Sequence, residues 1–238
     1  MTLPTDRFWQ ARPPLGRPRR ARELDRQLYW AKSGQGVMGG PVMVVKTLLL
    51  ALGANQAGAW GPPDQTLARA RRELACAGVR ILAASHLYHT LPLGPGRQSP
   101  YLNAVLLSAA PLGPAALLRL VKRLERRAGR RLSARWGPRC LDIDILDFGG
   151  RQLGWSRRRL QRLAPGRLVL PHPQIDRRAF VLIPLLEVDA HWHHPILSSS
   201  GRALLARLPP AGRRGVRRSL AFAASACEKR GHERAPRK

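Results

Sequence analysis

The sequence predicts an α+β sandwich, with helices on one face of a mainly antiparallel sheet. Three observations predict it. Short apolar runs of strand length and amphipathic helical segments follow one another in the order β-α-β-β-α-β. Gly/Pro clusters separate them. The chain has 238 residues, 44% of them apolar, which is enough for one substantial core.

Each element has a local reason. Val44 to Leu52, a mostly apolar stretch broken by Lys46, reads as a buried strand ended by Gly53. Asp64 is expected to cap a helix running to Ala77, with Leu67, Ala70, Leu74 and Ala77 on one face. Val79 to Thr90 reads as one strand, Pro92 to Pro100 as a loop, and Tyr101 to Ala109 as the next strand. Pro114 to Ala128 predicts a helix with Leu117, Leu120, Val121 and Leu124 inward, stopped by Gly129. Leu141 to Phe148 is a strand, and Pro171 to Pro173 a turn. Arg178 to Val188 is a helix with Pro184 as an awkward interior residue, and Leu204 to Leu208 closes the orderly part. This order is that of a ferredoxin-like βαββαβ sandwich.

Charge divides the chain. The net charge is +28, of which residues 1–42 carry +5, residues 43–208 carry +16 and residues 209–238 carry +7. Residues 1–42 are read as a basic, disordered extension, with a start at Met38 or Met43 as the alternative. Residues 43–208 are read as the folded domain and 209–238 as a basic tail. In that tail Val216, Leu220, Ala223 and Cys227 recur at helical spacing, but a frayed, solvated segment is the simpler expectation. No apolar run reaches the roughly 18 residues of a membrane span, and no secretory signal is readable at the N-terminus. Cys76, Cys140 and Cys227 show no metal or redox spacing, which leaves a reducing cytoplasm as the expected compartment. His191-Trp192-His193-His194 lacks the spacing of a metal site and is read as a surface turn; Trp155 is read as part of a solvated loop.

The chemistry concentrates in Arg135-Trp136-Gly137-Pro138-Arg139-Cys140-Leu141-Asp142-Ile143-Asp144. In a strand, Asp142 and Asp144 share one face. Two like charges about 5 Å apart repel by roughly 3 kcal/mol at an effective dielectric near 20. Either Asp–Arg salt bridges or divalent cations compensate. Mg²⁺ typically takes one or two carboxylates plus substrate phosphates, and guanidinium forks suit phosphate oxygens.

This stretch resembles the signature of 6-hydroxymethyl-7,8-dihydropterin pyrophosphokinases. Other segments match in order: Leu52-Gly53-Ala54-Asn55, Tyr88-x-Thr90-x-Pro92-Leu93-Gly94, Tyr101-Leu102-Asn103-Ala104, Arg167-Leu168-x-Leu170-Pro171-His172 and Arg178-Ala179-Phe180-Val181. The resemblance runs from about Val44 to Leu208. It implies transfer of pyrophosphate from ATP to the hydroxymethyl group of a reduced pterin in folate biosynthesis, leaving AMP. It implies two Mg²⁺ ions on Asp142 and Asp144, and catalytic Arg130, Arg131 and Arg139. Glu125, Trp136, Arg139, Ile145, Arg167, Leu168, His172 and Arg178 match ATP-binding positions. Thr90, Pro92, Leu93, Gly94, Tyr101, Asn103 and Phe180 match pterin-binding positions, with Tyr101 and Phe180 as the stacking pair. Ala54 departs from the family's common Ser, and the connection from Gly149 to Arg167 is longer than usual.

A monomer acting on ATP and a pterin, with no membrane partner, is the expectation. A basic nucleic-acid-binding protein on the same fold, with lost or secondary catalysis, is the alternative that the charge raises; otherwise nucleic acid is expected only as a non-specific polyanion at the basic ends.

Overall fold

The computed structural model describes residues 46–92, 98–130, 137–155, 168–219 and 222. All of them belong to one compact unit, residues 45–238. The extension 1–42, Leu93, Gly94, Arg131, Trp136, Arg167, Leu220, Ala223 and Cys227 lie outside the described residues.

Strand β1 (Lys46–Ala54) organises the sheet. It pairs antiparallel with β4 (Tyr101–Ala110) on one side and β5 (Asp142–Phe148) on the other. Both faces of β1 are covered, which is why it reads as a mostly apolar run rather than an alternating one. Helix α1 (Pro63–Cys76) follows β1, and α2 (Pro114–Arg127) connects β4 to β5. Both begin with Pro at the first helical position, where the missing N–H costs nothing. Asp64 sits in the first turn of α1 rather than at the cap, so it acts on the helix dipole.

The long strand expected over Val79–Thr90 is two strands. β2 (Arg80–Ala84) and β3 (Tyr88–Thr90) both pair with β4. Between Ala84 and Tyr88 the chain advances four residues while β4 advances three, from Leu106 to Asn103. The extra residue is accommodated around Ser85, whose Oγ accepts the Val105 N–H at 2.9 Å.

Alternation along β1, β4 and β5 builds two cores. Leu48, Leu50, Leu52, Leu106, Ile143 and Ile145 meet Leu67 and Leu74 of α1 and Leu117, Val121 and Leu124 of α2. On the opposite face Leu49, Val105 and Leu146 meet Val181, Leu182 and Leu185 of α3 (Ala179–Val188) and Leu204 of α4 (Gly201–Arg207). Helices therefore cover both faces, not one. The later helix carries apolar residues all round, as a segment buried against a sheet does.

The tail expected to fray is ordered over its first part. A short helix α5 (Pro210–Arg214) leads into β6 (Val216–Arg218), which pairs antiparallel with β3 and completes the order β5-β1-β4-β3-β6. Backbone pairing makes Val216–Arg218 a strand rather than part of a helix; Leu220, Ala223 and Cys227 of that helical spacing lie outside the described residues. The turn expected at the surface around His191–His194 is only half exposed: His191 and His193 face outward. Trp192 and His194 are buried, and the Trp192 Nε1–H donates to Asp147 Oδ2 at 2.9 Å. Burial lowers the His194 pKa from its ordinary value. Trp155 is pinned through Nε1 to the Pro171 carbonyl at 3.0 Å. No helix among the described residues is long and apolar enough to cross a membrane.

Asp147 closes β5 by accepting the N–H groups of Phe148 and Gly150 on its other oxygen, at 2.6 and 3.0 Å. Trp192→Phe removes the donor to a buried carboxylate oxygen while keeping most of the packing. It is expected to cost about 1–3 kcal/mol in urea denaturation; a change within about 0.3 kcal/mol would contradict this account of the turn.

Candidate active site

The helices on the second face stop short of one end of the sheet. That end is bounded by the last residues of β1, the first residues of β4 and β5, the end of β3 and the first turn of α3. It forms a cavity of about 280 Å³. Asp142 and Asp144 share its floor with Ala51 and Gly53, their register partners on β1. Thr90, Tyr101, Asn103, Arg139, Arg178 and Phe180 also line it.

At the acidic end, basic groups converge on the two carboxylates. Arg130 Nη1 donates to Asp142 Oδ1 at 2.6 Å, and Arg139 Nη1 donates to Asp142 Oδ2 at 2.7 Å. His172 Nε2 and Arg178 Nη1 stand 3.9 and 3.8 Å from Asp144 Oδ2. Burial alone would raise the Asp142 carboxyl; Arg139 and Arg130, with Lys122, outweigh it and hold the pKa below the ordinary aspartate value. Burial lowers the His172 pKa despite Asp144 beside it, so the imidazole is neutral near neutral pH. Among the described residues no group of three or more His, Cys, Asp or Glu side chains is placed to hold a metal ion. Two half-exposed carboxylates on one strand face do fit a hard divalent cation that takes its remaining ligands from phosphate and water.

The other end is flat and mixed in polarity. The Asn103 Nδ2–H donates to Thr90 Oγ1 at 2.7 Å, and both residues are buried. Gly53 explains how Asn103 fits: a Cβ there would stand 2.8 Å from Asn103 Oδ1. The Arg178 guanidinium lies 5.6 Å from the centroid of the Phe180 ring, within cation–π range. The Tyr101 hydroxyl reaches the Gly137 carbonyl at 3.5 Å.

Not every expected residue faces the cavity. Alternation puts Asp142 and Asp144 inside, so Ile145 points into the core beneath α1 and α2 (the helix-side core), where Leu168 also packs. Glu125 is buried below β5, accepting the Ile143 N–H at 2.9 Å and pairing with Lys122 at 2.7 Å and Arg130 at 2.6 Å. Burial raises its pKa against the pull of Lys122 and Arg130. Its visible role is to hold Arg130. Pro92 is described but does not line the cavity. Ala54, where the polar contact was expected to be missing, is fully buried in the helix-side core.

Sequence reasoning missed two contributors. Gln174 lines the cavity and accepts a hydrogen bond from Arg178 Nη2. Asn55 ties three segments together: its Oδ1 accepts the Arg139 N–H at 2.7 Å, its N–H donates to the Arg139 carbonyl at 3.0 Å, and its Nδ2 donates to the Ser99 carbonyl at 3.2 Å. The available signal was a bonding amide just past a strand that ends in glycine and alanine.

The ion pairs of Asp142 give a pH prediction. Its folded pKa is depressed, so the stabilisation is fully present above the ordinary aspartate pKa and lost as pH falls through the lower folded value. The stability gap between wild type and Asp142→Asn, measured without ligands in urea, should be constant from about pH 5 to 7 and shrink below about pH 4. A gap that widens on acidification would refute the pairing.

Comparison with known proteins agrees with this geometry. Residues 49–190 match the profile of a family described as 7,8-dihydro-6-hydroxymethylpterin-pyrophosphokinase. A 2-amino-4-hydroxy-6-hydroxymethyldihydropteridine pyrophosphokinase of Methylorubrum extorquens is 38% identical over 167 residues, 68% of this chain and 94% of that protein. The enzyme of the same name from Synechocystis is 35% identical over 146 residues, 61% of this chain and 68% of that protein. A solved wild-type Plasmodium falciparum HPPK-DHPS structure with pteroate superposes with a TM-score of 0.51 at 13% identity, covering 68% of this chain and 44% of that one, which supports the fold alone. The chain belongs to the 7,8-dihydro-6-hydroxymethylpterin-pyrophosphokinase family.

Proposed function

We propose that this chain transfers the pyrophosphoryl group of ATP to the hydroxymethyl oxygen of 6-hydroxymethyl-7,8-dihydropterin, giving AMP and the pterin diphosphate. One observation carries the assignment of residues: a cavity with two carboxylates and two arginines at one end, and an aromatic pair with a fixed amide at the other. The pterin oxygen bonds to the β-phosphorus, the bond from that phosphorus to the α–β bridging oxygen breaks, and the hydroxymethyl proton leaves to solvent or phosphate. Such transfer needs alignment and charge neutralisation more than covalent catalysis.

Each part has residues suited to it. Tyr101 and Phe180 offer aromatic faces to a flat pterin, and Asn103, held by Thr90, offers an amide to its polar edge. Arg139 and Arg178 are placed to bind phosphate oxygens, with Arg130 beside them. Bound triphosphate competes with Asp142 for Arg130 and Arg139, which would release the carboxylate as the arginines turn to phosphate. Asp142 and Asp144 would hold Mg²⁺, two ions in this reading, which supplies charge neutralisation on the transferring group. Arg131, Trp136, Arg167, Leu93 and Gly94 are assigned by the family motif alone. Ile145, buried in the core, would meet the nucleotide only through its backbone, whereas Leu168 is partly exposed.

Residues 43–208 form the proposed catalytic region, with β6 added from the tail. A cytoplasmic monomer is part of the reading; Cys76, a surface thiol outside any disulfide, fits a reducing compartment.

The test is AMP release by the full chain. AMP should form only when ATP, pterin and Mg²⁺ are all present. Asp142→Ala and Asp144→Ala should each abolish turnover with unchanged circular dichroism, and wild-type kcat in both would sink the metal assignment. Arg139→Ala should lower kcat by about 10²-fold, in the range of losing one preorganised donor; an unaltered kcat/KM would remove it from the chemistry.

A further inference from the structure

Strand β6 lies outside residues 49–190, the span matched by the family profile, yet it pairs with β3, whose Thr90 lines the cavity. Its register sets Val216 opposite Thr90, Arg217 opposite His89 and Arg218 opposite Tyr88, and the Ser219 N–H adds a bond to the Leu87 carbonyl at 2.7 Å. Farther along, Phe222 is buried in the helix-side core, and its carbonyl accepts from Arg71 Nη1 at 2.6 Å. The tail is thus fastened at two places.

β3 needs such fastening. It has three residues, and the irregularity at Ser85 cuts it off from β2. A strand this short holds its place only through its neighbours. It has β4 on one side, where Thr90 faces Tyr101 and Tyr88 faces Asn103, and β6 on the other. A third attachment comes from Glu187, near the end of the helix whose first turn carries Phe180. The Glu187 carboxylate accepts the Tyr88 hydroxyl at 2.8 Å and the His86 N–H at 3.1 Å, and also contacts the His86 ring. Arg218 Nη2 stands 3.9 Å from Glu187 Oε1 and 2.6 Å from His86 Nε2. Burial and the Glu187 bond push the Tyr88 phenol up to about 12, so it remains a donor throughout the physiological range.

We propose that Glu187 is a positioning residue for the pterin: it clamps β3 between α3 and β6, and so sets Thr90, Asn103 and the Phe180 wall at the distances pterin binding requires. Glu187 is absent from the cavity lining and acts through Tyr88 and β3. This rests on the catalytic reading above. The clamp acts at one end of the cavity, so it separates the two substrates.

The experiment uses the full chain with Glu187→Gln and, independently, Tyr88→Phe, which removes only the hydroxyl. Equilibrium Kd is measured for 6-hydroxymethyl-7,8-dihydropterin by its fluorescence and for a non-hydrolysable ATP analogue with Mg²⁺. Amide exchange is followed at His89 and Thr90. In both variants the pterin Kd should rise about fivefold, the nucleotide Kd should stay at wild type, and exchange at His89 and Thr90 should accelerate. Wild-type pterin affinity in both variants, or equal weakening of both ligands, overturns the clamp. A wild-type chain with no pterin affinity overturns the catalytic reading and the clamp with it.

Discussion

The candidate site depends on one electrostatic constraint. Two aspartates project from the same face of one strand, where like charges repel unless cations stand beside them. Three guanidinium groups answer this repulsion, Arg130 and Arg139 tightly on Asp142 and Arg178 more loosely on Asp144, where the His172 ring also stands. The asymmetry matters for function. A carboxylate held by two short charge-assisted bonds is charged and oriented before any ligand arrives. The guanidinium groups that hold it are also of the kind suited to triphosphate, so under the proposed function ligand binding and release of the carboxylate would be one exchange of partners.

Arg130 extends this network through the sheet. It joins Asp142 in the cavity to Glu125, which is buried beneath β5. Glu125 also takes the Ile143 N–H, a donor on the strand residue between the two aspartates. Helix α2, strand β5 and the basic rim of the cavity are therefore linked by one buried carboxylate. Such a network is stabilising only while all its members are paired, which favours a single arrangement.

The sheet sets aside room for the site by dividing its second face. Leu49, Val105 and Leu146 are covered by α3 and α4, whereas Ala51, Gly53 and Asn103 farther along are left as cavity surface. Small residues on β1 keep the floor low. Gly53 is the sharpest case, since the Asn103 amide occupies the space where a side chain would stand. The high net charge, by contrast, explains little about the fold; the basic residues that matter are the few that converge on Asp142 and Asp144.

Local sequence determined the elements that alternate cleanly. The buried runs of β1, β4 and β5, the apolar stripes of α1 and α2, and the pairing of Asp142 with Asp144 on one face follow from side-chain period alone. The family motifs also carried Thr90, Tyr101, Asn103, Arg139, Arg178 and Phe180 to one place. Tertiary structure decided what period cannot express. The split of β2 from β3 depends on a partner strand that receives one extra residue. The burial of Trp192 depends on a carboxylate 45 positions away in sequence. Coverage of the second face by α3, the roles of Asn55 and Glu125, and the capture of β6 all arise from contacts between segments distant in the chain. No local pattern encodes them, because the free energy of each resides in a partner that only folding brings near.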